Sequence, residues 1–240
     1  MSEMTDPERV GEQYATETHL ETRRSVWRPG PTGVAPLDVV ITAVRDALPS
    51  GRAMPDVLEV GCGPGVFAAR LVAELPGIAL LATDQSQRFV ELTRERGVAA
   101  QLQDVQHLLA PDASYDVAVA MWMLYHVPDL DRGLAELRRV LRPGGSLVAV
   151  TNGDEHVAAL RRDAGGEALL TTFSRENGEE ALLRHFETVE RTDVETRAHF
   201  PDRAAALAYL ESSDEDVHWS PPEDGWPREY AGYPTVFVAR

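Results

Sequence analysis

Residues 57–65, with the sequence VLEVGCGPG, carry the strongest signal in the chain. A short apolar run typical of a buried strand passes directly into glycines at positions 61, 63 and 65, and a helical pattern follows over residues 67–75. Glycines at a strand–helix junction let the backbone approach a ligand closely, and the amides at the start of a helix favour a negative group. This junction therefore predicts a ligand-binding loop, with a merely tight turn as the alternative.

The spacing of the glycines bears on which ligand the loop takes. Two cofactor classes use such a loop, the dinucleotides and S-adenosylmethionine. The dinucleotide fingerprint is Gly-x-Gly-x-x-Gly, in which the third glycine packs its helix closely on the strand. Val66 stands where that third glycine would be. The loop therefore favours S-adenosylmethionine, and a nucleotide-dependent oxidoreductase is the rival reading.

Outward from the loop, apolar runs and helical patterns alternate. Strands are predicted at residues 56–60, 78–83, 98–102, 116–121 and 146–151, and two more near 187–196 and 235–239. Helices are predicted between them at residues 67–75, 87–96 and 130–141, and a later one at 204–210. Strands that alternate with helices require crossover connections, so the fold class is α/β with a mostly parallel seven-stranded sheet covered on both faces.

The two ends of the chain are less regular. A polar helix is predicted over residues 8–27, ending at Trp27, and a second helix over residues 37–48. Residues 1–50 are therefore predicted to form an N-terminal helical cap. The main domain is predicted to span residues 51–240, with substrate-side insertions in 153–232.

Charge and composition exclude several classes of function. The chain has 23 Lys and Arg against 39 Asp and Glu, a formal net charge of −16. Such a chain repels phosphate backbones, so nucleic acid and anionic membranes are disfavoured as partners. There is no apolar run of about 18 residues, so we expect no transmembrane helix. The polar, acidic start lacks the pattern of a secretion signal, so we expect a cytoplasmic protein.

Cysteine and histidine usage bears on metals and disulfides. Cys62 is the only cysteine, and the seven histidines are scattered without ligand spacing. We therefore expect no internal disulfide and no metal site.

Further motifs follow the glycine loop in a recognisable order. Asp84 closes the second strand, Asp104 and Val105 follow the third, and the sequence RPGG at residues 142–145 precedes the fifth. Together with the loop, this set resembles the class I S-adenosylmethionine-dependent methyltransferases over residues 54–152. The resemblance implies a Rossmann-like, doubly wound, three-layer αβα fold whose seven-stranded, mostly parallel sheet has an antiparallel last strand.

The resemblance also implies a cofactor, S-adenosyl-L-methionine, and a set of residues that hold it. That set is Tyr14, Arg23, Glu59, Gly61, Cys62, Gly63, Gly65, Asp84, Gln85, Asp104, Val105, Met121 and Trp122. In it, Asp84 would bind the ribose hydroxyls and Asp104 the adenine amino group. Carboxylates at the ends of parallel strands also lie at the crevice where such sheets bind ligands, although a helix N-cap or a turn is the alternative for each.

Some of these roles have structural alternatives. Glu59 would lie near the methionine end of the cofactor, or would order the loop. Arg23 or Tyr14 would close over the cofactor carboxylate from the N-terminal helix, or Arg23 would be solvent-exposed. Cys62 would contribute its backbone rather than act as a nucleophile.

The segment after the fourth strand, residues 121–129, faces the transferable methyl group in the resembled family. Tyr125 or His126 would contact the acceptor there, and a histidine near its intrinsic pKa accepts a proton at neutral pH. The alternative is that His126 packs against or caps the following helix. Other aromatic and histidine candidates for the substrate side are Trp27, Trp122, His185, His199, Trp219 and Trp226.

The predicted reaction is methyl transfer to an O, N or C nucleophile of a small molecule, which we expect to be a secondary metabolite, by in-line displacement. A dedicated base is needed only if the nucleophile is protonated at the working pH. The alternative is a non-methylating member of the same fold, either a cyclase or a cofactor-binding scaffold. The stretch at residues 151–156 and that at 173–178 resemble a bacterial, largely actinobacterial, subgroup. The sequence does not determine the oligomeric state.

Overall fold

The computed structural model of the chain describes residues 17–212 and 217–240. Its helices are α1 (Glu17–Ser25), α2 (Pro36–Ala47), α3 (Val66–Glu74), α4 (Gln87–Glu95), α5 (Leu130–Val140), α6 (Ala158–Asp163), α7 (Gly178–Leu183) and α8 (Arg203–Glu211), with a 3₁₀ turn at Leu124–His126. Its strands are β1 (Trp27–Pro29), β2 (Asp56–Val60), β3 (Ala79–Asp84), β4 (Ala99–Leu102), β5 (Tyr115–Met121), β6 (Leu141–Asn152), β7 (Val189–Asp193), β8 (Thr196–Phe200), β9 (Arg228–Gly232) and β10 (Pro234–Ala239).

Seven of these strands form the central sheet, in the order β4-β3-β2-β5-β6-β10-β7. The pairs from β4 to β6 are parallel, whereas the last strand, β10, inserts antiparallel between β6 and β7. The predicted fold class is therefore confirmed, including the antiparallel last strand. The order of the strands reverses between β2 and β5, and ligands of such sheets bind in the crevice at this point.

Different helices cover the two faces of the sheet. On one face, Val40 of α2 and Leu71 of α3 pack against Val119 of β5. On the other face, Leu137 of α5 packs with Ala118 of β5 in a second apolar cluster. Val119 and Ala118 are both fully buried, as expected for a central parallel strand with helices on both sides. The result is the predicted three-layer arrangement.

The helix α2 lies inside the segment predicted as an N-terminal cap, residues 1–50. It nevertheless packs directly on the sheet, and its residues Val40, Ile41 and Val44 are at most 2% exposed. Residues 36–47 thus form part of the αβα core. Within the described residues of the predicted cap, α1 and β1 lie over the carboxyl-terminal side of the sheet.

A second, three-stranded sheet in the order β1-β8-β9 was not predicted. All of its strands are antiparallel, and Trp27 pairs with Ala198. The prediction that a helix ends at Trp27 is therefore wrong, because α1 ends at Ser25 and Trp27 begins a strand. The single strand predicted near residues 187–196 is likewise two strands, β7 in the central sheet and β8 in the small one.

The RPGG sequence has a structural position in this fold. Arg142 forms ion pairs with Asp56 and Asp116, with N–O distances of 2.8 Å in each case. Asp116 is 7% exposed and also accepts a hydrogen bond from the backbone amide of Asp56. This cluster ties together the amino-terminal ends of β2 and β5, on the opposite edge of the sheet from the glycine loop.

Candidate cofactor and acceptor site

A cavity of about 920 Å³ opens at the carboxyl ends of β2, β3, β4 and β5. The sequence-predicted residues that line it are Arg23, Glu59, Gly61, Cys62, Gly63, Asp84, Gln85, Asp104, Val105, Met121, Trp122, Tyr125 and His126. Gly65 does not line the cavity, and Tyr14 lies outside the described residues. Small-molecule sites commonly occupy about 300–1,000 Å³, and this cavity is near the upper end of that range. It therefore has room for a cofactor and a second small molecule.

The three glycines of the loop have different structural roles. All three adopt positive φ angles, 65° at Gly61, 55° at Gly63 and 74° at Gly65. A Cβ atom at Gly61 would lie 2.7 Å from a side-chain carbon of Met123, and one at Gly65 would lie 2.5 Å from the hydroxyl of Thr93. A Cβ atom at Gly63 would meet nothing within 4 Å. Gly61 and Gly65 therefore permit close packing, whereas Gly63 leaves space on the cavity side of the loop.

Asp84 joins the loop to the end of β3. One carboxylate oxygen accepts from the amide of Gly63 at 2.8 Å, and the other accepts from the amide of Ser86 at 2.9 Å. Burial raises the pKa of Asp84, and these backbone donors oppose that shift. The N-cap of α4 is Ser86, whose side chain accepts from Phe89, so Asp84 is not the helix cap. Asp84 thus lies in the cavity wall and also holds the loop.

Asp104 takes part in the turn that the sequence left as its alternative. Its Oδ1 accepts from the backbone amide of Gln106 at 2.8 Å and from the Gln106 side chain at 3.1 Å. The carboxylate still lines the cavity, beside the buried Val105. Its contact with an adenine ring stays a prediction.

Glu59 is the most unusual group in the cavity wall. Its side chain is 1% exposed, and its Oε2 atom has no hydrogen-bond partner among the described residues. Burial and the nearby charge of Asp84 raise the pKa of Glu59 to about 8, and the charge of Arg24 opposes the shift. A buried carboxyl oxygen without a partner is costly, and a cationic ligand group would satisfy it. S-adenosylmethionine carries such groups, so the loop, Asp84 and Glu59 fit this cofactor.

Cys62 contributes to the loop through its backbone. Its amide donates to the carbonyl of Thr83 at 3.0 Å. The thiol is buried 3.4 Å from the hydroxyl of Thr93, and burial raises the pKa of Cys62 to about 12. A protonated, enclosed thiol is a poor nucleophile, which agrees with the predicted backbone role.

Trp122 follows β5 in a strained conformation. Its φ angle is 52°, in the left-handed region that costs a non-glycine residue about 1–2 kcal/mol. Two hydrogen bonds hold it there, from its amide to the carbonyl of Val150 at 3.0 Å and from its indole to Asn152 Oδ1 at 2.9 Å. The strain places the indole in the cavity wall, and such strain is concentrated at functional sites.

Tyr125 and His126 lie together in the 3₁₀ turn. Their ring centroids are 4.5 Å apart in an edge-to-face arrangement, and both rings line the cavity. The following helix, α5, is capped by Asp129, whose side chain accepts from Arg132. His126 therefore does not serve as the helix cap, and its contact with an acceptor stays a prediction.

Several cavity residues were not assigned to the site from the sequence. Arg24, Arg28, Asn152, His156, Thr196 and Tyr209 also line the cavity. Asn152 and His156 were noted only within a stretch that resembles a subgroup, and no local pattern marked the others. Of the aromatic and histidine candidates, Trp27 and Trp122 line the cavity.

The other four candidates do not line the cavity. His185 faces Asp131, His199 lies near Glu229, Trp219 packs beneath Arg161, and Trp226 packs beneath Arg228.

Residues 17–212 and 217–240 hold neither a candidate metal cluster nor a helix suited to a membrane. Within these ranges, no group of three or more His, Cys, Asp or Glu side chains is arranged to hold a metal ion. No helix in this described part of the chain has the length and apolar character needed to cross a membrane.

The comparison with protein families agrees with the fold and the loop. Residues 58–149 match the family model described as "Methyltransferase domain". This match assigns residues 58–149 to a methyltransferase domain. Together with the αβα fold, it supports S-adenosylmethionine as the cofactor, as the sequence predicted.

Individual relatives and solved structures match longer stretches of the chain than the family model does. An uncharacterized 37.1 kDa protein in transposon TN4556 of Streptomyces fradiae is 41% identical over 113 residues, 45% of this chain and 32% of that protein. The 27-O-demethylrifamycin SV methyltransferase of Amycolatopsis mediterranei is 35% identical over 104 residues, 40% of this chain and 38% of the relative. The chain thus spans about a third of the length of these relatives. The crystal structure of the [4+2]-cyclase SpnF has a TM-score of 0.61 at 21% identity, covering 97% of this chain and 95% of that one, and so shares the fold.

The loop glycines give a first test. We expect Gly63→Ala to cost about 1–2 kcal/mol of stability, from the positive φ alone, but to weaken S-adenosylmethionine binding at least about tenfold, because the new methyl group enters the ligand space. Gly65→Ala is the matched control and should destabilise by about 3 kcal/mol or more, since its Cβ meets Thr93. Urea denaturation and calorimetric titration measure the two effects. Unchanged cofactor affinity in Gly63→Ala would contradict the assignment.

Glu59 gives a test by pH. Because its pKa is raised in the folded chain, the stability from the protonated group is full below about pH 4.5 and is lost as the pH rises through about 8. We expect the free energy of unfolding of the cofactor-free protein to fall over this window relative to Glu59→Gln. Urea denaturation at several pH values checks this, with the exposed Glu95→Gln as control. Parallel pH curves for the wild type and Glu59→Gln would show that Glu59 is not the titrating group.

Proposed function

We propose that the chain transfers the methyl group of S-adenosylmethionine to a nucleophile of a small molecule, by in-line displacement. The observation that carries the proposal is the shared cavity. The loop, Asp84 and the Glu59 carboxyl, whose Oε2 has no hydrogen-bond partner among the described residues, form one end of it. An aromatic wall with room for a second molecule forms the other end. We further infer that the acceptor is a secondary metabolite. The relative named for methylation of 27-O-demethylrifamycin SV and the size of the cavity support this inference.

The chain's own residues would bind and orient the two molecules. Asp84 is proposed to accept hydrogen bonds from the ribose hydroxyls, with Val105 against the adenine ring and Glu59 beside the cationic end. When bound, the cofactor supplies a methyl group already activated on a sulfonium, so the protein mainly has to align the nucleophile and exclude water. Trp122 and Met121, at the end of β5, would cover the reacting centre from bulk solvent.

Binding and turnover are tested separately. Calorimetric titration of S-adenosylmethionine, S-adenosylhomocysteine and NAD into the purified protein should show micromolar binding of the first two only. Asp84→Asn should weaken both at least about tenfold, since it removes a charged acceptor, while the exposed Asp46→Asn should bind like the wild type. Binding of NAD alone, or of none of the three, would refute the proposal.

The acceptor-side residues are tested by turnover. Label transfer from methyl-labelled cofactor to a panel of phenols, carboxylic acids and amines identifies a substrate. With that substrate, we expect His126→Gln or Tyr125→Phe to lower kcat by about 10²-fold if either moves a proton, with the cofactor Kd unchanged. If both variants keep the wild-type kcat, neither residue moves a proton. The chain then contributes only by aligning the acceptor with the methyl group. Cofactor binding without transfer to any panel member would favour the non-methylating alternative.

A further inference from the structure

The half of the cavity away from the glycine loop has an aromatic wall. Trp27, His156 and Tyr209 build it from three separate elements, β1, the segment before α6, and α8. The indole of Trp27 lies 4.7 Å from the imidazole of His156, measured between ring centroids, and 6.3 Å from the ring of Tyr209. Gly232 permits this packing, because a Cβ atom there would lie 2.3 Å from the indole. The wall suits a flat, largely apolar molecule.

His156 has a defined protonation state in this wall. Its Nδ1 accepts a hydrogen bond from the backbone amide of Tyr233 at 3.0 Å, so the proton of the neutral ring is on Nε2. Burial and the charge of Arg161 lower the pKa of His156 to about 3, so the ring is neutral at physiological pH. No described residue accepts a hydrogen bond from Nε2. The ring therefore brings an N–H donor to the cavity and cannot act as a base through that nitrogen.

The acidic residues that line the cavity lie together at one end of it. The acidic residues that line it are Glu59, Asp84 and Asp104, all at the ends of β2, β3 and β4. On the side of Trp27, the charged lining residues are Arg23, Arg24 and Arg28, of which Arg24 also acts on Glu59. Two further arginines, Arg70 of α3 and Arg88 of α4, line the cavity as well. Arg161 and Arg23 also act on Tyr209, where they oppose the burial that raises its pKa to about 12. The aromatic half is thus positive within a strongly acidic protein.

Resting on the proposed function, we propose that the aromatic half binds the methyl acceptor, and that the acceptor is a flat molecule whose acidic oxygen, a carboxylate or a phenolate, accepts a hydrogen bond from Nε2–H of His156. A cationic amine would be repelled by the arginines and has no lone pair for the Nε2 proton. An anionic oxygen gains from both, because hydrogen bonds to charged groups are the stronger ones.

Two naphthalene probes test this acceptor class. Protein loaded with S-adenosylhomocysteine is titrated by calorimetry with 2-naphthoate and, separately, with 2-naphthylmethylammonium, which has a similar ring and the opposite charge. We expect 2-naphthoate to bind at least about tenfold more tightly than the ammonium probe. Equal affinities, tighter binding of the ammonium probe, or no binding of either would overturn the proposal.

Two substitutions separate binding from a structural role of His156. His156→Asn places a carbonyl oxygen near the position of Nδ1, so it keeps the bond from Tyr233 but has no donor at the Nε2 position. His156→Gln places an amide nitrogen near Nε2 but loses the bond from Tyr233. We expect His156→Asn to keep its Tm and to lose about tenfold in affinity for 2-naphthoate, and His156→Gln to lower the Tm and keep the affinity. The reverse pattern would show that His156 acts only through the fold.

Failure of this assignment is distinguishable from failure of the proposed function. The affinity for S-adenosylhomocysteine is measured on the same wild-type and variant samples and should be the same in all three. If the wild type binds no S-adenosylhomocysteine, the proposed function fails. The 2-naphthoate titrations are then repeated without S-adenosylhomocysteine. They still show whether the aromatic half binds a flat anionic molecule.

Discussion

The hydrogen bond from the amide of Gly63 to the carboxylate of Asp84, 2.8 Å long, is the contact on which the site depends. It joins a loop of three glycines in left-handed conformations to the end of the neighbouring strand. Glycine lowers the strain of such a loop but raises its conformational freedom, so an external acceptor is needed to hold one conformation. The parallel sheet supplies that acceptor, because β2 and β3 end at the same edge. The order of the strands thus determines where a ligand can bind.

Burial of charge follows from the same arrangement. The carboxyl groups of Glu59 and Asp84 lie at adjacent strand ends, where helices exclude water from both faces of the sheet. Burial raises the pKa of both, most strongly at Glu59, whose Oε2 has no partner. Because isolated buried carboxyl groups are unfavourable, this end of the cavity is poised for a cationic ligand. Arg23 and Arg28 lie beside the aromatic wall, so the chain's net charge of −16 says little about the potential that an acceptor meets there.

The pattern of the sequence was sufficient for the central sheet and the cofactor half of the site. Its inner strands β2, β3 and β5 are largely apolar runs. The glycines and acids follow such runs within a few residues, so local spacing places these groups at one edge. Where reasoning from the sequence failed, the decisive contact was not local. Trp27 continues a helical pattern, yet it lies in a strand because Ala198 pairs with it and His156 packs on its ring. Asp104 closely follows a strand, as predicted, but Gln106 competes for its carboxylate.

The sequence by itself determined the αβα fold, the class of the domain and the loop that identifies its cofactor. These properties depend on the hydrophobic period and on residues that are adjacent in the chain. A single strand and the turn after it already contain that information. The tertiary structure decided which residues form the acceptor half. The small sheet β1-β8-β9 brings together segments from both ends of the chain. Only there do the neutral His156, the indole of Trp27 and the arginines come into proximity, because their encounter depends on the packing of distant segments.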